Sequence, residues 1–143
     1  ELLLVIAIIG ILAAVLFVSL GKQRERARVT TFKENTRGLV TTYTACADGG
    51  GTLGTTLGSS ACTGGPSGIG AVPDIVDCDG EGNVTISSTD DAGDTWEFQA
   101  TCNTSGGTCI ANCTADRCIY CNTALTYSGG TWSDTCADDS NCQ

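Results

Sequence analysis

Histidine is absent from all 143 residues, and beyond Arg37 the chain keeps a single basic residue, Arg117. Without imidazole, general-base chemistry near neutral pH falls to a carboxylate or an activated lysine. The acidic residues stand in turn-like segments with no nucleophile motif beside them, so no enzyme is expected and no catalytic residue is assigned. From Gly38 onward thirteen acidic residues face that one arginine, a formal charge of −12. Such a surface repels nucleic acid, and no nucleic-acid partner is expected. Tyrosine and tryptophan are few and scattered, a poor basis for electron conduction along stacked rings. Proline occurs only at Pro66 and Pro73, so nothing in the first 65 residues locks or breaks a helix.

The first 45 residues also lack cysteine, and what they have instead is grease. Glu1 to Leu20, ELLLVIAIIGILAAVLFVSL, is one charge followed by apolar residues broken only by Gly10 and Ser19. As a helix it reaches ~30 Å, the thickness of a bilayer's hydrocarbon core. A cleavable secretory signal would show a basic start and a shorter apolar run. Glu1 is the odd residue. An unpaired carboxylate in lipid costs a few kcal/mol, so it is expected to be neutral or partnered. Its partner lies at the water boundary, on the chain's own terminus or on another subunit, and an interfacial acid favoured by a helix N-terminus is the plainer reading.

Six of the seven basic residues, Lys22, Arg24, Arg26, Arg28, Lys33 and Arg37, follow directly behind the apolar run. Such a cluster ordinarily marks the cytoplasmic side of a membrane helix. Ten cysteines, all after residue 45, point the other way, to a disulfide framework in an oxidising compartment. The cysteines are given the greater weight, which places the folded part outside the cytoplasm. Val29, Phe32, Thr36, Leu39, Tyr43 and Cys46 recur at spacings of three and four, the stripe of an amphipathic helix. The opposite face carries Arg24, Arg28, Lys33 and Arg37, with Glu25 expected to pair with Arg28 or with neighbours of Val29 in the next turn. One helix from Glu1 to about Ala45 is therefore expected, its first half bare and its second half packed.

Residues 48–70 are rich in Gly, Ser and Thr and are expected to hold no regular element, with Cys62 tying them down. Strands are expected over Val84–Ser88, Thr95–Thr101, Arg117–Cys121 and Thr123–Tyr127, with a hairpin around Gly129-Gly130 between Tyr127-Ser128 and Thr131-Trp132. The fold class is α+β: a long N-terminal helix with an exposed apolar half, 1–20, and an amphipathic half, 21–46, laid on a small antiparallel sheet within a disulfide-stapled domain, 47–143. The cysteines stand at Cys46, Cys62, Cys78, Cys102, Cys109, Cys113, Cys118, Cys121, Cys136 and Cys142, and spacing does not give their pairing. Zinc would favour two clean C-x-x-C knuckles, and only Cys118 and Cys121 have that spacing. In an extended strand those two lie ~10 Å apart, too far for one bridge, so each pairs elsewhere.

Two acidic clusters make calcium a candidate ligand. Asp77, Asp79, Glu81 and Asn83 alternate with glycine at the sixth position, as in an EF-hand loop, although position twelve is Ser88 rather than Glu. Asp134, Asp138 and Asp139 form the second cluster; a solvated acidic turn is the plainer reading of both. No other cofactor is expected. Three sequons begin at Asn83, Asn103 and Asn112 and are compatible with N-glycosylation.

Over Glu1-Leu2-Leu3-Leu4-Val5-Ile6-Ala7-Ile8-Ile9-Gly10-Ile11-Leu12-Ala13-Ala14 the chain resembles the N-terminal helix of type IV pilins and their pseudopilin relatives. The residues that normally precede the Glu in that family are not in this sequence, and the likeness fades after about the first thirty. Where many members carry a helix-kinking proline, this chain has Val18-Ser19. The resemblance implies a pilin-like fold and a structural subunit of a type IV pilus or related extracellular filament, a homo-oligomeric helical polymer. It implies that the subunit waits in the cytoplasmic membrane with its domain outside until pilus assembly machinery draws it out. It assigns assembly to the apolar helix, with Ile6, Ile9, Leu12 and Ala13 among the packing residues. Glu1 would neutralise a neighbour's N-terminal amine, and the helix could stretch near Gly10. It also implies that Cys136 or Cys142 closes a terminal disulfide loop. The alternatives are a pseudopilin of a secretion or competence system, where the C-terminal acids would hold calcium, and, from another class, a monomeric membrane-anchored binding domain.

Overall fold

The computed structural model describes residues 2–90, 96–128, 131–132, 136 and 139–143. A single helix, α1, runs over Leu2–Asp48, 47 residues. Its two halves obey different rules. The stripe Val29, Phe32, Thr36, Leu39, Tyr43 and Cys46 is buried, with no member more than 2% exposed. Between Leu3 and Leu20 no described side chain is buried. The charged residues that begin at Lys22 mark where the helix passes from one regime to the other.

Eight short strands follow: β1 (Thr52–Leu53), β2 (Cys62–Thr63), β3 (Thr85–Asp90), β4 (Trp96–Thr104), β5 (Gly107–Thr114), β6 (Cys118–Cys121), β7 (Tyr127–Ser128) and β8 (Thr131–Trp132). A 3-10 turn, Ser140–Cys142, closes the chain. The main sheet has the order β3-β4-β5-β6 and is antiparallel throughout, so α1 with this sheet makes an α+β, disulfide-rich fold. On β4, Trp96, Phe98, Ala100 and Cys102 alternate with less buried neighbours and form part of the core with the helix stripe. Tyr43 meets Trp96 and Phe98 edge-on, with ring centres 5.9 and 5.0 Å away. Aromatic pairs in this arrangement add roughly 0.5–1.5 kcal/mol beyond the area they bury.

Several expectations are corrected. The connector 48–70 is not devoid of regular structure: β1 and β2 pair antiparallel, Thr52 with Thr63 and Leu53 with Cys62. The Cys46–Cys62 disulfide, with Cα atoms 5.5 Å apart, pins this ladder to the end of α1. Gly51 has to be glycine there, since a Cβ on it would run into the Cys62 sulfur and the Gly65 backbone. The segment 123–126 is not a strand. The Leu125 N–H donates to Asn112 Oδ1 at 3.0 Å and its carbonyl accepts from Gln99 Nε2 at 2.5 Å. Side chains on the sheet's outer face have taken the groups a ladder would need. β5 was not expected at all. It is buried on both faces, under α1 on one side and with Asn112 held against Leu125 on the other, so its residues show no alternation.

All ten cysteines pair, and no thiolate remains for zinc. Cys78–Cys102 joins the 77–82 loop to β4, Cys113–Cys118 crosses from β5 to β6, and Cys109–Cys142 and Cys121–Cys136 both fasten the tail. Each closure of this kind typically contributes about 2–4 kcal/mol, much of it by constraining the unfolded chain. For a domain of roughly a hundred residues that is decisive help.

Candidate assembly surface

The largest feature left unpartnered among the described residues is the stem of α1. Leu3 is 78% exposed, Ile6 54%, Ile9 60% and Leu12 59%. Ala13 is half-buried, and Glu1 lies outside the described residues. Apolar side chains occupy every side of the stem, so no single face can be turned to water. Removing such a surface from water yields about 25 cal/mol per Å². The helix is long and apolar enough to cross a membrane, and the window that qualifies is wholly unburied within the chain. A Cβ on Gly10 would meet nothing within 4 Å, and Ala14, one turn on, is exposed. Small residues one turn apart let two helix backbones approach closely in an apolar medium.

Where stem meets domain, polar contacts replace apolar ones, and the expected Glu25 to Arg28 pairing gives way to them. The Glu25 carboxylate accepts from Ser105 N and Ser105 Oγ, at 2.7 and 2.8 Å, in the turn between β4 and β5. Arg28 donates to the Asp79 carbonyl at 2.8 Å. These two clasps hold the loops at the base of the sheet to the helix.

The EF-hand-like stretch is organised around those same contacts. Asp77 is buried, its Oδ2 accepting from Asn103 Nδ2 at 2.6 Å and its Oδ1 from the backbone N–H groups of Asn103 and Cys78. Asp79 Oδ1 accepts from Glu81 N at 2.7 Å. Gly80, at φ 92°, a backbone conformation that side-chain-bearing residues rarely adopt, brings the loop against the Arg28 guanidinium. Asp77 thus braces β4, and an arginine supplies the positive charge at the loop. Glu81 and Asn83 are exposed. Asp139 Oδ1 accepts from Gln143 Nε2 at 3.1 Å, while Asp134 and Asp138 lie outside the described residues. Among the described residues no three acids or cysteines are grouped to hold a metal ion.

Of the three sequons, Asn83 is exposed and Asn103 is tied by its amide to Asp77. Asn112 as a glycosylation site is corrected outright. It is fully buried, accepting from Leu125 N and donating to Ile110 O, and a glycan there is incompatible with the folded sheet.

Among the described residues Tyr43 is the group with a clearly displaced titration: burial pushes its phenol up to about 12, because the phenolate would lose its water. The hydroxyl donates to the Gly54 carbonyl at 2.5 Å, fixing the β1 loop to the helix. An open cleft of about 400 Å³ between α1 and the 66–70 loop is lined by Thr41, Thr42, Ala45, Pro66, Ser67 and Ile69 among others, with no titratable side chain. Comparisons with protein-family models, with curated proteins and with solved structures found no match.

Proposed function

We propose that this chain is the structural subunit of a type IV pilus or closely related extracellular filament. One observation carries the reading: an unbroken helix whose first half is apolar on every side and unburied continues into a half that anchors a disulfide-stapled domain. The resemblance of Glu1 to Ala14 to type IV pilins supports it from the sequence side. In lipid the stem is satisfied alone; out of lipid it needs other apolar rods, and identical stems provide them. The close-approach pair Gly10 and Ala14 favours helix-to-helix contact over a solitary anchor. Glu1 would lie at the tip of each rod and pair with a neighbour's terminal amine, neutralising a charge that the bundle could not otherwise bury. The domains would then form an acidic, covalently stapled sheath.

Negative-stain microscopy of material sheared from the cell surface tests the proposal, with filaments built from this chain expected. Glu1→Ala is expected to leave membrane insertion intact and to stop polymerisation. A chain that extracts into mild detergent only as a monodisperse monomer, with no surface fibres, would favour the anchored binding domain instead.

A further inference from the structure

The six cations behind the stem divide into two groups. The three farther from it are engaged with the domain. Arg28 donates to the Asp79 carbonyl, and Lys33 Nζ and the Arg37 guanidinium lie 5.2 and 5.6 Å from the centre of the Tyr120 ring. Tyr120 is itself fixed to the helix, donating to the Lys33 carbonyl at 3.0 Å. The three nearer ones, Lys22, Arg24 and Arg26, are exposed, and among the described residues none of their side chains has a hydrogen-bond or ring partner.

Depth along the helix accounts for this division. At 1.5 Å per residue, Lys22 and Arg26 lie ~3 and ~9 Å beyond Leu20. The polar layer on either side of a bilayer's hydrocarbon core is about 5–7 Å thick, so the unpartnered cations fall in and just beyond it. Their direction adds to the point. With 3.6 residues per turn, Lys22 and Arg26 share one side of the helix while Arg24 points nearly opposite. A single protein partner covers one side of a rod, whereas lipid surrounds it before assembly. Glu25, in the same turn, keeps its negative charge while it accepts from Ser105 N and Oγ, so Lys22 and Arg26 outnumber one fixed acid beside them. Lys22 and Arg26 also line a cleft of about 190 Å³ beneath the β4–β5 turn, room for a headgroup beyond its phosphate.

We propose that Lys22, Arg24 and Arg26 form a collar that binds the phosphates of anionic phospholipids in the leaflet next to the domain. The collar holds against the membrane a domain whose charge of −12 would otherwise be repelled by those same lipids. This rests on the stem spanning a membrane before assembly, and not on filament formation.

To test it, the full chain is reconstituted into vesicles of phosphatidylcholine mixed with phosphatidylglycerol, released in mild detergent and weighed with its retained lipid by native mass spectrometry. Phosphatidylglycerol is expected to be retained over phosphatidylcholine. Each cation removed should cost about fivefold, so Lys22→Gln with Arg24→Gln and Arg26→Gln should lower that preference on the order of a hundredfold. The companion triple Arg28→Gln, Lys33→Gln and Arg37→Gln removes the same charge and should keep it. No preference in the native chain, or equal loss in both triples, overturns the collar. Displacement of the lipid by inorganic phosphate would make this a free-anion site and overturn the lipid assignment. A collar triple that keeps its lipid preference but loses contacts between copies assigns these cations to a second copy, which also overturns it. Resistance of the chain to alkaline carbonate extraction from the same vesicles is read separately; its absence brings down the span and the collar together.

Discussion

The two halves of α1 are one helix by backbone and two by what surrounds them. From Leu3 to Leu20 no described side chain is buried, while from Val29 to Cys46 a stripe is sealed against a sheet and tied at its end by a disulfide. The second half is stabilised inside the chain. Among the described residues the first half buries no side chain against the rest of its own molecule, and on the proposed reading lipid or other copies cover it. Separate origins of stability mean that the halves can be broken separately.

Phe32→Ala should produce the largest effect. The side chain is fully buried, and truncation there costs about 3–5 kcal/mol. Denaturant unfolding of the detergent-solubilised chain should show that loss while membrane insertion is unchanged. Leu12→Asp is its mirror image, placing a charge mid-stem at roughly 2.5–3.5 kcal/mol on insertion scales. Membrane fractionation should show reduced insertion, with the domain unfolding at the wild-type denaturant midpoint. A shifted midpoint would mean that the halves communicate.

A smaller effect follows from Tyr43. Its phenol titrates ordinarily near 10 when unfolded and at about 12 when folded. Stability from the buried neutral form is fully present below pH 10 and is lost as pH rises from 10 towards 12, because the unfolded state releases the proton first. Phenolate absorbance should show one tyrosine titrating late, and Tyr43→Phe should remove that step. Smallest of all is Gly10→Ala. Within the chain there is room for the methyl, and the helix should gain up to about 1 kcal/mol. Any loss of assembly in this variant would therefore be a loss of contact between copies, visible as fewer fibres with unchanged domain stability.

The stripe from Val29 to Cys46 was legible because a helix on a sheet prints its period into the sequence. The same holds for Trp96, Phe98 and Ala100 on β4. β5 was not, since a strand covered on both faces has no period to read: Cys109 to Thr114 are all buried. Asp77 was misleading for a related reason. Its spacing to Asp79 and Glu81 imitates a calcium loop, yet its oxygens serve Asn103, 26 residues away, a partner no local window contains. Glu25 and Arg28 likewise looked like neighbours on a helix until Ser105 and Asp79 came within reach. Asn112 matched a sequon whose context only the fold supplies, and the cysteine pairing was closed to spacing altogether.

The connectivity of the disulfides sets how the molecule carries load. Cys46–Cys62, Cys78–Cys102 and Cys109–Cys142 close loops with separations of 16, 24 and 33 residues, one after another along the chain. Tension applied between the helix and the C-terminus therefore bypasses most of the polypeptide. Slack remains only in the runs between Cys62 and Cys78 and between Cys102 and Cys109. In the filament proposed above, extension within each domain would be confined to those two runs, and the disulfide-closed loops would carry load without unfolding.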